Sequence, residues 1–140
     1  MSFRRAESSS NVDTDEFLIG MMNNPKTLEV LEVSDLKTSE NTKEGYQYFH
    51  IKLQDTETSE AVKLSFNVKV NDDNTIYIGQ GAKLYPLASY VSHIHDEAII
   101  CFKEDIDEAL NGLTFEAKTI RKKFGRKPYF VLVPIRQGDE

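Results

Sequence analysis

The sequence predicts an all-β domain with a helical insertion: a five-stranded Greek-key barrel with a helix between its third and fourth strands. Three observations carry that expectation. Three segments between Lys26 and Val70 alternate apolar and polar residues with the period of two that marks a half-buried strand. A stretch with helix-like spacing follows, from Gly81 to His93. Two more strand-like runs then close the chain, each set off by polar turn residues.

Residues 1–16 are polar, serine-rich and non-periodic, and read as a disordered tail. FLIGMMNN (Phe17–Asn24) is a short apolar patch, either a brief helix or a flap over the core. The first strand, TLEVLEVSDL, has Leu28 and Val30 on one parity and Leu31 and Val33 on the other. Such a switch predicts a bulge or sharp bend. Lys37–Gly45 is a polar turn, Tyr46–Asp55 the second strand and AVKLSFNVKV (Ala61–Val70) the third. TIYIG reads as a short extra strand after the turn NDDN. GAKLYPLASYVSH places Leu84, Leu87, Ala88 and Val91 at helical spacing, with Pro86 in the first turn, where it is tolerated. KEDIDEALNG is a second helical piece, acidic at its start and stopped by Gly112. LTFEAKTI, the basic loop RKKFGRK and PYFVLVPI complete a last hairpin. The domain therefore spans 17–136, followed by a short acidic end at 137–140.

Composition narrows the function. The chain has 140 residues, 29% of them charged and 39% hydrophobic, which suits one globular domain. No stretch approaches the roughly 20 apolar residues of a membrane helix, and the N-terminus lacks the apolar segment of a secretory signal. A single cysteine, Cys101, excludes an internal disulfide framework and suggests the cytoplasm. The net charge of −6 speaks against a nucleic-acid partner only until its distribution is read. Residues 71–111 hold eight acids and two bases, whereas residues 112–140 hold seven bases and three acids.

The second and third strands each have one ordinary core face. Their other parity carries Tyr46, Tyr48, His50 and Lys52 against Lys63, Ser65, Asn67 and Lys69, with no acid in either series. Aromatic rings give bases a stacking platform worth roughly 1–3 kcal/mol each, and lysines meet the phosphates beside them. Arg121, Lys122, Lys123, Arg126 and Lys127 surround Phe124 and Gly125 in the last hairpin, a cationic element able to fold over a strand. The same features also have a plainer reading, since aromatic residues favour strands and lysines line sheet surfaces and edges. No helix-turn-helix or basic helix points to duplex DNA.

The meander, helix and hairpin between Lys26 and Arg136 resemble the OB-fold, whose second and third strands and hairpin loops bind oligonucleotides or oligosaccharides. With the aromatic and basic face, the chain looks like the OB-fold single-stranded-DNA-binding proteins, the replication protein A and phage or archaeal type more than the bacterial tetrameric type. The resemblance implies coating of single-stranded DNA in replication, recombination or repair, with partners among the proteins of those processes. RNA and a protein-interaction adaptor without nucleic acid stand as alternatives. The bacterial type ends in a long acidic tail closing on Pro-Phe. The sequence PIRQGDE (134–140) departs from that, so recruitment through such a tail is not expected.

Neither a cofactor nor enzymatic chemistry is expected. His93-Ile94-His95-Asp96, with Cys101 nearby, has metal-like spacing but follows a predicted helix, where a polar helix-end cluster is the commoner meaning. EDIDE (Glu104–Glu108) lacks the glycine and spacing of a calcium loop and suits a helix start. Gly79–Lys83 lacks Walker spacing, Cys101 reads as a small buried hydrophobe, and no nucleophile–base pair is identifiable.

Overall fold

The computed structural model describes residues 13–40 and 42–135, the Phe124 side chain excepted. Its strands are β1 (Lys26–Val33), β2 (Tyr46–Asp55), β3 (Ala61–Val70), β4 (Thr75–Ile78), β5 (Ile99–Phe102), β6 (Thr114–Phe124) and β7 (Lys127–Pro134). Three short helices accompany them: α1 (Thr14–Gly20), α2 (Tyr85–Ser92) and α3 (Lys103–Leu110). All seven strands form one antiparallel sheet, ordered β5-β4-β3-β2-β1-β6-β7, which curls into a half-barrel.

Among the described residues seven strands stand where five were expected. β4 was legible as TIYIG, but Ile99–Phe102 is a four-residue apolar run, too short for its period to separate a strand from other buried chain. The two pair from Thr75↔Phe102 to Ile78↔Ile99 and add a hairpin to the β3 edge. The helix consequently lies between β4 and β5, within this added unit, rather than directly after the third strand. Its first turn holds Pro86, and His93 ends it in the left-handed region at φ 63°.

Local sequence explains the remaining elements. The parity switch in β1 is a bulge: pairing with β2 shifts between Val30 and Glu32, leaving Leu31 exposed while Leu28 and Val30 stay buried. Gly45, at φ 84°, turns the chain into β2, and its carbonyl accepts a hydrogen bond from the Val70 amide. The core inside the curl is built from Leu28, Val30, Phe49, Ile51, Leu53, Phe66, Val68, Phe115 and Leu132.

α1 belongs to this core. Asp13 caps it by accepting from the amides of Asp15 and Glu16 at 2.9 and 3.3 Å. Phe17, Leu18 and Met21 are buried, and Thr119 Oγ1 donates to the Leu18 carbonyl at 2.5 Å. Asp13–Glu16, part of the stretch expected to be a tail, therefore belong to a capped helix. Residues 1–12 and 137–140 lie outside the described residues.

Beside α1, Lys26 Nζ stands 3.0 Å from Asp55 Oδ2 and 5.5 Å from the Phe17 ring centre. Burial of Asp55 works against its charge. The Glu57 amide and the Lys26 ammonium outweigh that and hold the carboxyl below its usual range. Among the described residues no helix is long and apolar enough to cross a membrane.

Candidate nucleic-acid interface

The register of β2 and β3 assembles the outer face residue against residue. Tyr46 faces Lys69, Tyr48 faces Asn67, His50 faces Ser65, and Lys52 faces Lys63. Phe49, Ile51 and Leu53 are buried on the opposite side. Partners in an antiparallel pair share a face with Cβ atoms about 4.5–5.5 Å apart, so these eight side chains form one continuous surface. The lysines of β3, with Ser65 and Asn67, are exposed, while Tyr46, Tyr48, His50 and Lys52 are half-buried.

That half-burial has local causes. The Tyr48 and His50 rings meet edge to face at 5.5 Å. Lys37, in the β1–β2 connection, exchanges two backbone hydrogen bonds with Tyr48, at 2.8 and 2.9 Å. Lys43 Nζ lies 5.8 Å from the Tyr46 ring centre. Both lysines therefore join the face, although by sequence they belong to a polar turn.

Tyr77 is a second addition. It pairs with Lys69 across β3 and β4, stands 41% exposed, and prolongs the row that starts at Tyr46. The alternation in TIYI, with Tyr77 on the outer parity, was the signal available for it. Ile100 and Phe102 on β5 extend this side as exposed apolar residues, at 59% and 49%. Two acids of β1 border the face: Glu32 is the register partner of Lys52, and Glu29 is that of Gln54, the next outward residue of β2.

The basic hairpin differs from its expected form. RKKFGRK is not a loop, because β6 runs through to Phe124 and β7 starts at Lys127, leaving Gly125 and Arg126 as a two-residue turn. Gly125, at φ 64°, occupies the position where such a turn needs positive φ. Alternation then divides the charges. Lys122 and Lys127 share the parity of Tyr129, while Arg121 and Lys123 share that of Phe130 and Pro128. All five bases are exposed. Phe124 sits in the strand, and its side chain lies outside the described residues.

Register also fixes where the hairpin stands. Pairing of β6 with β1 reaches Lys26↔Ala117, so Phe124 lies seven residues further, roughly 24 Å at 3.4 Å per residue. Tyr48 lies toward the other end of β1, level with Lys37, and Lys52 and Lys63 stand between. The base of the hairpin meets β3 around a cleft of about 50 Å3, where Phe130 and Leu132 join Leu18, Leu64, Ser65 and Phe66. By register the hairpin runs past the end of β1 that is nearer to Lys52 and Lys63 than to Tyr46 and Tyr48, and its base borders β3 at the inner-side residues Leu64 and Phe66.

The metal-like strings find other roles. Ser89 Oγ donates to the Ile94 carbonyl at 2.7 Å and lies 2.7 Å from His95 Nδ1, a polar cluster that closes α2. Asp105 accepts from the Phe102 amide at 3.1 Å, and Asp107 pairs with Lys103, so EDIDE starts and braces α3. Cys101 is half-buried, and burial, helped by the Asp105 carboxylate, pushes its thiol up to about 11. No family model, curated protein or solved structure shows significant similarity to the chain.

Proposed function

We propose that the chain is an elaborated OB-fold module that binds single-stranded DNA with little sequence preference, in replication, recombination or repair. Topology supports the fold half of this reading. β3, β2, β1 and β6 lie side by side in the order that defines a Greek key, and β7 follows β6 as a hairpin. The β4–β5 hairpin with α2 is then an addition to the β3 edge.

The observation that carries the functional half is the register-matched outer face of β2 and β3. It combines two tyrosines, a histidine and three lysines in a chain that has 23 acids and 17 bases. Bases would stack on Tyr48 and Tyr46 and continue toward Tyr77. Lys52, Lys63 and Lys69 would meet phosphates, and the hairpin of Arg121, Lys122, Lys123, Arg126 and Lys127 would hold the strand beyond them. With about five phosphates neutralised, log affinity falls against log salt with a slope near −3.5. Fluorescence titration with labelled oligo-dT tests this: tight, salt-sensitive binding is expected, and no binding at low salt would remove the proposal. Stacking and phosphate contacts do not read the 2′-hydroxyl, so competition with a matched RNA oligomer settles which polymer is preferred.

A second reading rests on Ile100 and Phe102, exposed on an edge strand that carries no charge to protect it. A protein-interaction adaptor would copurify with a partner and ignore oligonucleotides.

A further inference from the structure

The β1–β2 connection folds against the outer face of β2 and leaves a cleft of about 80 Å3, lined by Glu32, Ser34, Lys37, His50, Lys52 and Lys63. At about 30 Å3 per water, this is room for two or three waters or for one tetrahedral oxyanion. Its wall is fixed from several sides. The Ser34 amide donates to the His50 carbonyl at 2.9 Å, and the His50 amide donates to Ser34 Oγ at 2.8 Å. Lys103 Nζ, beneath, donates to the Ser34 carbonyl at 2.8 Å. The paired backbone bonds between Lys37 and Tyr48 hold the far side.

Three lysines and one glutamate therefore line a cleft whose backbone walls are held by hydrogen bonds. None of the three forms an ion pair among the described residues, whose pairs are Lys26–Asp55 and Lys103–Asp107. Lys52 and Lys63 are moreover direct cross-strand partners. Like charges placed opposite one another are destabilising, and an anion between them reverses that cost. Three lysines against one glutamate leave the lining with a surplus of positive charge.

We infer that the cleft bordered by Lys37, Lys52 and Lys63 seats one phosphate of the bound strand, fixing the register in which the adjoining bases meet Tyr48 and Tyr46. This rests on the nucleic-acid reading and sharpens it. Generic lysines on a sheet attract a strand anywhere along their length, whereas a walled seat makes one contact the reference point for the rest. Lysine suits the task as a point-charge donor that accepts any orientation of the phosphate oxygens.

The test compares wild type with the double variant Lys37→Gln/Lys63→Gln. Oligo-dT is titrated at several salt concentrations, and inorganic phosphate alone is followed through the backbone amide NMR shifts of Ser34, Lys37, His50 and Lys63. Loss of one seated phosphate predicts a salt slope shallower by about 0.7 and affinity lower by about tenfold. Saturable phosphate shifts should be confined to the cleft and lost in the variant. The variant should keep or raise its melting temperature, since it removes a like-charge pair. An unchanged oligo-dT slope in the variant overturns the seat while leaving nucleic-acid binding intact. Wild type that binds no oligo-dT yet shows saturable phosphate shifts overturns both, and leaves a site for a free phosphate compound.

Discussion

Two outer surfaces of the same sheet divide this molecule. Over β2 and β3 the outward side chains are aromatic, basic or neutral, and their acidic cross-strand neighbours on β1 are Glu29 and Glu32. Beyond Tyr77, which ends the tyrosine row, the β5 surface is apolar, with Ile100 and Phe102 exposed, and the flanking segments supply Asp72, Asp73, Asp96, Glu97, Glu104 and Asp105. The strands obey the same alternation in both places. What differs is the chemistry set on the outward parity, and net charge averages that difference away. A value of −6 describes neither surface.

Charge reversal in the hairpin gives the largest expected effect. Lys122→Glu/Lys127→Glu, at two cations that share one face of the hairpin, turns two attractive contacts into two repulsive ones, and should lower oligo-dT affinity about 100-fold at low salt, with a slope shallower by about 1.4. Titrations at two ionic strengths check it. Tyr48→Ala comes next. It should weaken binding by about 1–3 kcal/mol with an unchanged slope, because it removes stacking and no phosphate contact. Ile100→Ser/Phe102→Ser on the other surface should leave oligo-dT affinity within about twofold. A loss as large as that of Tyr48→Ala would erase the contrast between the two surfaces.

Asp55→Asn acts on stability instead. The Asp55 carboxyl is held below its usual range. Its contribution is therefore present above the unfolded pKa and disappears as pH falls through the folded one. The variant should lose about 1–3 kcal/mol at neutral pH and should show a flatter acid limb in a plot of melting temperature against pH. Cys101 gives the smallest effect. With its thiol pushed up to about 11, alkylation at pH 7 should be far slower than that of a free thiol, and should accelerate steadily into alkaline solution.

Much of this architecture was legible because strand period and burial agree. β2 and β3 have the bounds read from YQYFHIKLQD and AVKLSFNVKV, and the bulge at Leu31 was written in a parity change. β5 escaped because Ile99–Phe102 is apolar throughout, and its strand character comes from pairing with β4, a tertiary fact. The hairpin charges were found but given the wrong backbone. Nothing in RKKFGRK says that β6 continues to Phe124 until Gly125 is recognised as half of a two-residue turn. Lys37 and Lys43 were missed for a related reason. They sit in a polar connection, and only its hydrogen bonds to β2 fold them over the tyrosines.

Everything proposed for the ligand depends on bases lying against the tyrosine row. Photocrosslinking with oligo-dT that carries 5-iododeoxyuridine, followed by mass-spectrometric mapping, addresses this directly. The account predicts adducts on Tyr46 and Tyr48, fading with added salt as the complex dissociates. Adducts confined to the β4–β5 surface, or none on the tyrosines under conditions where the oligomer is bound, would contradict it.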